Sequence, residues 1–549
     1  LADEALDLHT QEATSVAFQA QGWSHRLTSD YPSSVQCYER AYAIADSLGD
    51  TADKAACLNG LGNTYQVMGN TAAAMVQFRN ALGLFQLLDD RAGAARVAGN
   101  IGNVYLLMGD LQQALDSYRS AQELHEEFGN RAGVASMIGN IGLVHARMTD
   151  YPTALEHYTR ALNLHTELGN RMNAATVAGN IGHVYASIGH HQQALEYFRH
   201  ALTQHEHLGN RLGIATVIGN LGYTHLMLGD YALAMECYLR SVQIYEELEL
   251  RSGLAFNTGF IGVVHWKIGD YPTALEYFAR ALVIHEELSD RAEIARIIWH
   301  IGSVHADIGD FNAALACFES ALAVQQELGF HHSAASVIGS IGDVYQGTGD
   351  HERALEQYQR AIALHTDLGD QSGVALFTGC AITSLIDLHR VDDAVMMLEY
   401  QATMPMTDPE VRTRHHGNLA RVAESQHDLD GAARQLRLAL DIALDAGLAA
   451  LTTSYHERLR DLALVRNDLP GYVEHNTQFL IRSEELRSRE TAQKLATLRA
   501  ERTFQAERKE RDKERVLLYG ALPRAIADRL VRGEQVTGDQ YDGAVILFM

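Results

Sequence analysis

Histidine is the residue type in this sequence best suited to chemistry, because imidazole can bind a metal or transfer a proton near neutral pH. The 549-residue chain contains 27 histidines, many of them spaced at multiples of 40 residues. Two sets share this spacing: His145, His225, His265 and His305, and His125, His165, His205, His285 and His365. Metal ligands must converge on one point, whereas these histidines are distributed one per period. The spacing favours packing positions occupied by an amphipathic ring, and it predicts no metal site.

Arginine recurs with the same 40-residue spacing, each time at the start of a predicted helix: Arg91, Arg131, Arg171, Arg211, Arg251 and Arg291. One interpretation is structural, with each guanidinium forming an ion pair or a carbonyl hydrogen bond to the preceding unit. The other is a ladder of positive charge that binds an anion or an acidic peptide. The sequence has no Walker-type phosphate loop, no nucleophile elbow and no HExxH pair. We therefore predict no catalytic residues and no cofactor within this chain.

The elements that position these side chains follow the same period. The segment GNIGNVYLLMGDLQQALDSYRSAQELHEEFGNR begins at Gly99, and related segments begin 80 and 120 residues later. Each unit is predicted to form two helices, because Gly109 and its equivalents suit the residue after a helix end and Asp110 and its equivalents suit the next N-cap. Glycines inside the first helix, such as Gly99 and Gly102, cost about 1 kcal/mol each relative to alanine. We expect close helix approach at an alanine column to offset this cost.

Three columns of residues define the repeat. They are a glycine column (Gly22, Gly62, Gly102, Gly142, Gly182, Gly222, Gly262, Gly302, Gly342), an aromatic column (Tyr38, Phe78, Tyr118, Tyr158, Phe198, Tyr238, Phe278, Phe318, Tyr358) and an alanine column (Ala41, Ala81, Ala121, Ala161, Ala201, Ala281, Ala321, Ala361). Their spacing resembles the tetratricopeptide repeat, in the 40-residue form of Pins-type scaffolds and bacterial regulatory proteins. The resemblance implies an all-α fold, a solenoid superhelix of about 11–12 helix pairs. Nine regular units are expected over 1–375 and degenerate units over 376–482.

This resemblance also implies a concave groove, lined by first helices, that holds an extended peptide or a partner helix. One groove column carried over from the family contains Asn100, Asn140, Asn180 and Asn220, and a second contains Asn63, Asn103, His183, Tyr223, Ser303 and Asp343. Three aromatic residues, Phe256, Trp266 and Trp299, follow in the middle of the array. They are predicted to form either a partner-binding patch or packing contacts between repeats.

Charge and composition limit the classes of partner and compartment. The formal net charge is −25, and all of the net acidity lies before Pro470. Such a surface disfavours nucleic acid, which needs a basic face. No apolar stretch approaches the roughly 18 residues required to cross a membrane, and the N-terminal residues lack a signal-peptide pattern. The five cysteines include no CxxC pair, which favours a reducing cytoplasmic location without membrane contact.

Residues 483–518 are predicted to form a charged helix, because the segment SRETAQKLATLRAERTFQAERKERDKER lacks glycine and proline. With heptads counted from Thr491, the core positions are Leu495, Leu498, Arg502, Gln505, Lys509, Asp512 and Val516, of which only the ends are apolar. Such a seam pairs weakly by itself. We interpret it as a signalling helix whose pairing depends on its neighbours, with a solvated spacer as the alternative.

Residues 519–549 resemble the start of a class III adenylate or guanylate cyclase domain, with a predicted strand at 544–549. The matching residues are Leu522, Pro523, Ile526, Ala527, Arg529, Leu530, Gly533, Glu534, Asp539, Tyr541 and Asp542. Because the chain begins at Leu1 and ends within this predicted strand, we expect a fragment that stops before the family's catalytic residues. The resemblance implies a homodimeric parent enzyme that uses ATP or GTP with Mg²⁺ or Mn²⁺.

The predicted function is a repeat region that binds a protein or peptide and controls the pairing of cyclase domains. Two alternatives stay open: a non-enzymatic interaction scaffold, and a sensor for another output such as a histidine kinase. The residues do not distinguish cyclic AMP from cyclic GMP as the product.

Overall fold

The structure is a computed structural model that describes residues 2–28, 30–406, 408–522 and 527. The regular secondary structure of the described residues is entirely α-helical, so the predicted all-α repeat fold is confirmed. The predicted strand at 544–549 lies outside the described residues, as does most of the cyclase-like segment. In the described part of the chain, no helix is long and apolar enough to span a membrane.

The chain divides into two compact units, residues 1–224 and 225–549. The first unit contains α1 (Ala2–Leu27), α2 (Tyr31–Leu48), α3 (Thr51–Val67), α4 (Thr71–Leu87), α5 (Arg91–Met108), α6 (Leu111–Glu127), α7 (Arg131–Arg147), α8 (Tyr151–Glu167), α9 (Arg171–Ser187) and α10 (His191–His207). Helix α11 (Arg211–Met227) spans the division.

The second unit contains α12 (Tyr231–Glu247), α13 (Arg251–Lys267), α14 (Tyr271–Glu287), α15 (Arg291–Ile308), α16 (Phe311–Glu327), α17 (His331–Thr348), α18 (His351–Asp367), α19 (Gln371–Asp387), α20 (Val391–Ala402), α21 (Pro409–Ser425), α22 (Leu429–Asp445), α23 (Ala449–Val465) and α24 (Leu469–Ala521). Odd-numbered helices are the first, and even-numbered helices the second, of twelve repeats in the described chain. This number agrees with the predicted 11–12 helix pairs.

Turn residues set the helix boundaries largely as the sequence predicts. Gly109 ends α5 with a left-handed φ of 78°, a conformation that favours glycine. The Asp110 carboxylate then accepts a hydrogen bond from the Gln113 backbone N–H at 3.2 Å and caps α6. Asp230 and Asp270 hold the same position but make no side-chain cap bond.

The glycine column contacts the aromatic column of its own repeat, which corrects the expectation of an alanine contact for Gly102 and its equivalents. In the column of Gly99 the alanine contact does occur, since a Cβ atom added at Gly139 or Gly259 would lie 3.8 Å from Ala161 or Ala281. A Cβ atom added at Gly102 would lie 2.6 Å from the Tyr118 ring, and one added at Gly182 would lie 2.9 Å from the Phe198 ring. These distances are shorter than a carbon–carbon contact allows. The missing side chain therefore makes room for a ring, and burial of that ring offsets the low helix propensity of glycine.

Helix α24 has 53 residues and departs from the repeat pattern by its length. Its first part packs against α23 as the second helix of the last repeat, and a later part packs against α12. The charged helix predicted for 483–518 is therefore continuous with the last repeat.

Candidate functional site

Every residue predicted to line the groove lies on a first helix. Asn63, Asn100, Asn103, Asn140, Asn180 and Asn220 are half-buried, and His183 and Tyr223 are exposed. Two of the asparagines are engaged within the protein: the Asn100 side-chain amide donates to the Asn59 side-chain oxygen at 3.0 Å, and Asn103 accepts from the Tyr118 hydroxyl at 2.7 Å. A peptide in this part of the groove would compete with these hydrogen bonds.

Of the three groove aromatics, the structure brings two together and separates one. Trp266 and Trp299 line a common cavity of about 360 Å³ together with Ser303 and Asp343, which were also predicted groove residues. Phe256 does not line this cavity. Its ring instead packs against that of Phe260, with 4.9 Å between the two ring centroids. We call the cavity that Trp266 and Trp299 line the aromatic cavity. Because two aromatic residues meet there, it is a better candidate site for a ligand side chain than Phe256.

Both tryptophans also connect neighbouring repeats. The Trp266 indole N–H donates to the Asp307 carboxylate at 2.7 Å, and the Trp299 indole N–H donates to the Ser340 hydroxyl at 3.1 Å. Each bond joins residues that are 41 positions apart. The partner-binding and packing interpretations thus apply to the same side chains, because the indole N–H bonds hold two residues that also line the cavity.

Helix α24 makes a second candidate site, a contact between the charged helix and the repeats. Glu501 is 9% exposed. It accepts a hydrogen bond from the Tyr277 hydroxyl at 2.8 Å and lies 3.4 Å from His265 Nε2. Burial raises the pKa of Glu501, but its contacts with His265 and Tyr277 outweigh burial and hold this pKa below its usual value. Glu501 is therefore a buried carboxylate with partners from two different helices.

Other α24 residues near Glu501 also contact the repeats. The Gln493 side-chain amide donates to the Gly229 carbonyl at 3.0 Å, and Arg508 forms an ion pair with Glu246 at 2.8 Å. We call the residues of α24 that share this side the docking face: Gln493, Thr497, Glu501, Phe504 and Arg508. Their spacing of three or four residues places them on one side of the helix.

The apolar part of this contact lies on α12. Phe504 packs against a buried cluster that includes Met235, Leu239 and Val242. Leu239 is 6% exposed. The equivalent residues in the other regular repeats are Glu39, Arg79, Arg119, Thr159, Arg199, Ala279, Glu319 and Gln359, and all of them are exposed. Leu239 is thus the buried exception among these positions, at the repeat that α24 covers.

Sequence reasoning missed this docking face, although Leu239 was a usable signal. The apolar heptad positions Leu495 and Leu498 lie on another side of α24, and Leu495 is 49% exposed. Pairing of α24 with a second chain through that side stays a prediction. The docking face and the heptad positions are different residues of one helix.

The arginine column forms ion pairs with glutamates 36 residues further on. Arg91 pairs with Glu127 at 2.5 Å, Arg131 with Glu167 at 2.8 Å, and Arg291 with Glu327 at 2.6 Å. Arg251 pairs with Glu287 in the same way, whereas Arg171 has His207 at that spacing. The partner lies at the end of the second helix of the same repeat rather than in the preceding one. These pairs are exposed and individually weak.

A cavity of about 780 Å³ lies beside one of these arginines. Its lining contains Arg131 and Arg160, but also Glu126, Glu156 and Glu167. The glutamates offset the positive charge, so this cavity does not favour an anion. The anion ladder stays a prediction for the six arginines.

One histidine column lies in the core, at positions where the sequence predicts an amphipathic ring to pack. His125, His165, His205, His285 and His365 are buried. Burial lowers the pKa of each of them. In the other column, histidines lie beside an aspartate five residues later in the chain. The distance from the histidine Nδ1 atom to the aspartate Oδ2 atom is 3.1 Å for His145 and Asp150 and 3.3 Å for His265 and Asp270.

Comparison with known proteins places this geometry among repeat proteins. A model of the tetratricopeptide repeat family matches residues 53–127, 133–207, 191–247, 213–287, 253–323 and 293–367, which together make up more than half of the chain. No match was found among curated proteins.

Solved structures show only distant likeness. A Rap protein complexed with Competence and Sporulation Factor is 16% identical, with 65% of this chain and 99% of that chain covered and a TM-score of 0.47. Apo RapI is 15% identical, with 50% of this chain and 99% of RapI covered and a TM-score of 0.42. A signal-transduction ATPase with a tetratricopeptide repeat sensor, from Pyrococcus horikoshii, is 13% identical. The match covers 66% of this chain and 55% of the ATPase, with a TM-score of 0.48.

Proposed function

This chain belongs to the tetratricopeptide repeat family, and from that premise we propose that it is the regulatory region of a signalling protein. The repeats bind a protein or peptide partner, and α24 carries the effect of that partner to an output domain. The proposed organisation is nine regular repeats over 1–375, degenerate repeats over 376–482, a signalling helix over 483–518 and the start of the output domain over 519–549.

The observation that carries this proposal is the contact between the docking face of α24 and the repeats. A solvated spacer needs no buried side chains, yet Thr497 is fully buried and Glu501 is 9% exposed. Glu501 contacts α13 through His265 and α14 through Tyr277. Any change in the packing of these helices therefore changes how well α24 is held.

The aromatic cavity supports an extended peptide or partner helix as the ligand. Its lining residues come from the first helices α13, α15 and α17 and from α16. Hydrogen bonds from both indole N–H groups hold its two tryptophan rings in place. Aromatic side chains of this kind contribute much of the binding energy at protein interfaces. The cavity also shares Trp299 and Ser340 with a neighbouring cavity of about 430 Å³, which provides space for more than one ligand side chain.

The proposed output is a class III adenylate or guanylate cyclase. Support comes from sequence alone, in the resemblance that begins at Leu522 and includes Asp539 and Asp542. Such an enzyme would act as a homodimer on ATP or GTP with Mg²⁺ or Mn²⁺, and control of α24 would control how its catalytic domains pair. A non-enzymatic scaffold and a histidine kinase sensor are the competing outputs.

The test is cyclic nucleotide production by the full-length parent protein, with and without residues 1–482. Both forms are assayed with ATP and with GTP in the presence of Mn²⁺. We expect product from the full-length protein, and a different rate once the repeats are deleted, because α24 then loses its docking surface.

Two results would overturn different parts of the proposal. Equal rates with and without the repeats would refute regulation but leave the cyclase assignment intact. Absence of product from both nucleotides would refute the cyclase assignment, and autophosphorylation would then identify the kinase alternative.

A further inference from the structure

We propose that His332, His365 and Asp370 form a binding site for a divalent transition-metal ion. One ligand atom from each residue lies within 4.8 Å of the others. This site is independent of the proposed regulatory function and lies at the edge of the cavity that Trp299 also lines.

Three consecutive helices position the ligands. His332 lies in the first turn of α17, His365 in the last turn of α18, and Asp370 at the N-cap of α19. The Asp370 Oδ1 atom accepts hydrogen bonds from the backbone N–H groups of Ser372 and Gly373, each at 3.1 Å. These bonds fix the carboxylate and leave its Oδ2 atom directed to the two histidines.

The distances suit a shared ion. Asp370 Oδ2 lies 2.8 Å from His365 Nδ1 and 3.7 Å from His332 Nδ1. Ligand atoms about 2.0 Å from a tetrahedral zinc ion lie about 3.3 Å from one another. His332 is 66% exposed, so its side chain can complete this geometry without disturbing the core.

His365 supplies the observation that points to a ligand. Its side chain is 2% exposed, yet neither ring nitrogen makes a hydrogen bond in the described structure. Buried polar atoms in proteins are nearly always paired. Its Nδ1 atom lies 2.8 Å from the Asp370 carboxylate, within the same cluster of potential ligand atoms.

Among the described residues this cluster is found at one repeat, and the sequences of the other regular repeats show why. A similar pair, His285 and Asp290 at 3.8 Å, lies two repeats earlier. The position equivalent to His332 is Ala52, Ala92, Ala132, Met172, Leu212, Ser252, Ala292 and Ser372 elsewhere. Only His332 adds an imidazole, so sequence analysis by columns, which treats each histidine as a repeated packing residue, does not detect the convergence.

Two imidazoles and one carboxylate define the class of ion. Imidazole favours zinc, copper, nickel and iron over magnesium and calcium, which prefer oxygen ligands. Three protein ligands leave coordination positions for water or for a group of a ligand bound in the cavity. We therefore expect Zn²⁺ to bind, with Co²⁺ as a spectroscopic substitute.

The experiment is calorimetric titration of the chelator-treated protein with Zn²⁺, comparing the wild type with His332→Ala and His331→Ala. His331 is an exposed neighbour outside the cluster, so its variant is the matched control for adventitious binding. We expect one tight site per chain. Loss of even an outer-shell partner weakens metal sites about 10- to 100-fold, so His332→Ala should weaken binding at least about tenfold and His331→Ala should leave it unchanged.

Cobalt gives an independent readout of geometry. Co²⁺ bound by the cluster should show the intense visible absorption of four-coordinate cobalt, and this absorption should be absent in His332→Ala. Because His332 is exposed, the melting temperature of this variant should equal that of the metal-free wild type. This measurement checks that the variant folds. Absence of a tight site, or equal weakening by both substitutions, would overturn the proposal.

Discussion

At the scale of single residues, the glycine column is explained by the ring that each glycine faces. Gly182 and Gly179 lie one turn apart on α9, and both are buried. A Cβ atom at Gly182 would lie 2.9 Å from the Phe198 ring, whereas one at Gly179 would have no neighbour within 4 Å. Phe198 is itself fully packed, at 1% exposure, so its ring has no space to retreat.

This contrast predicts opposite effects for two chemically identical substitutions. Gly182→Ala should lower the free energy of unfolding by about 1–3 kcal/mol, because overpacking a well-filled core forces side chains from their rotamers. Gly179→Ala should raise it by about 0.5–1 kcal/mol through better helix propensity. Urea denaturation followed by circular dichroism measures both, and a shift of the same sign in the two variants would refute the explanation.

At the scale of the helix, one side-chain column links stability to pH. The column at the end of the second helices contains Phe85, Tyr245 and five buried histidines. Burial lowers the pKa of these histidines, so each is neutral in the folded protein over a range where the unfolded chain binds a proton. The contribution of these histidines to the free energy of unfolding is therefore fully present above the ordinary histidine pKa of about 6.5. It decreases as the pH falls from there towards the lower pKa values that the histidines have in the folded protein.

His165→Phe tests this linkage with a residue that the chain itself uses at Phe85. The melting temperature of the wild type should fall between about pH 7.5 and about pH 5.5, and that of the variant should fall less, since one group contributes at most about 1.4 kcal/mol per pH unit. His207→Gln, at an exposed position, is the control and should keep the wild-type pH dependence. Equal pH dependence in all three proteins would show that His165 does not contribute.

The helices themselves were predictable because their signals are local and repeated. Gly109 and Asp110 mark a helix end and the next start within two residues, and the 40-residue period repeats that signal along the chain. The partner of the glycine column was not predicted, because the alanine and aromatic columns lie on the same helix and only packing decides between them.

At the scale of the whole molecule, the most informative feature is a contact between residues far apart in sequence. Tyr277 and Glu501 are 224 positions apart, so no repeat period relates them. The groove residues could be named from the family pattern, whereas the docking face could not. A heptad pattern indicates a helix that pairs with a copy of itself. Helix α24 instead packs against α12, in which Leu239 replaces the polar or small residues of other repeats.

Leu239→Arg tests whether the repeats hold α24. Three other repeats have arginine at this position, so α12 should fold normally, but the charged side chain would be buried against Phe504. Gln359→Arg, at the exposed equivalent position in α18, is the matched control.

The measurement is amide hydrogen exchange of residues 493–508 in the wild type and both variants. Released from α12, this part of α24 is a solvated helix of marginal stability, so we expect its amides to exchange at least about tenfold faster in Leu239→Arg, equivalent to about 1.4 kcal/mol. Wild-type exchange is expected in Gln359→Arg. Unchanged exchange in Leu239→Arg would contradict the claim that the repeats hold the signalling helix.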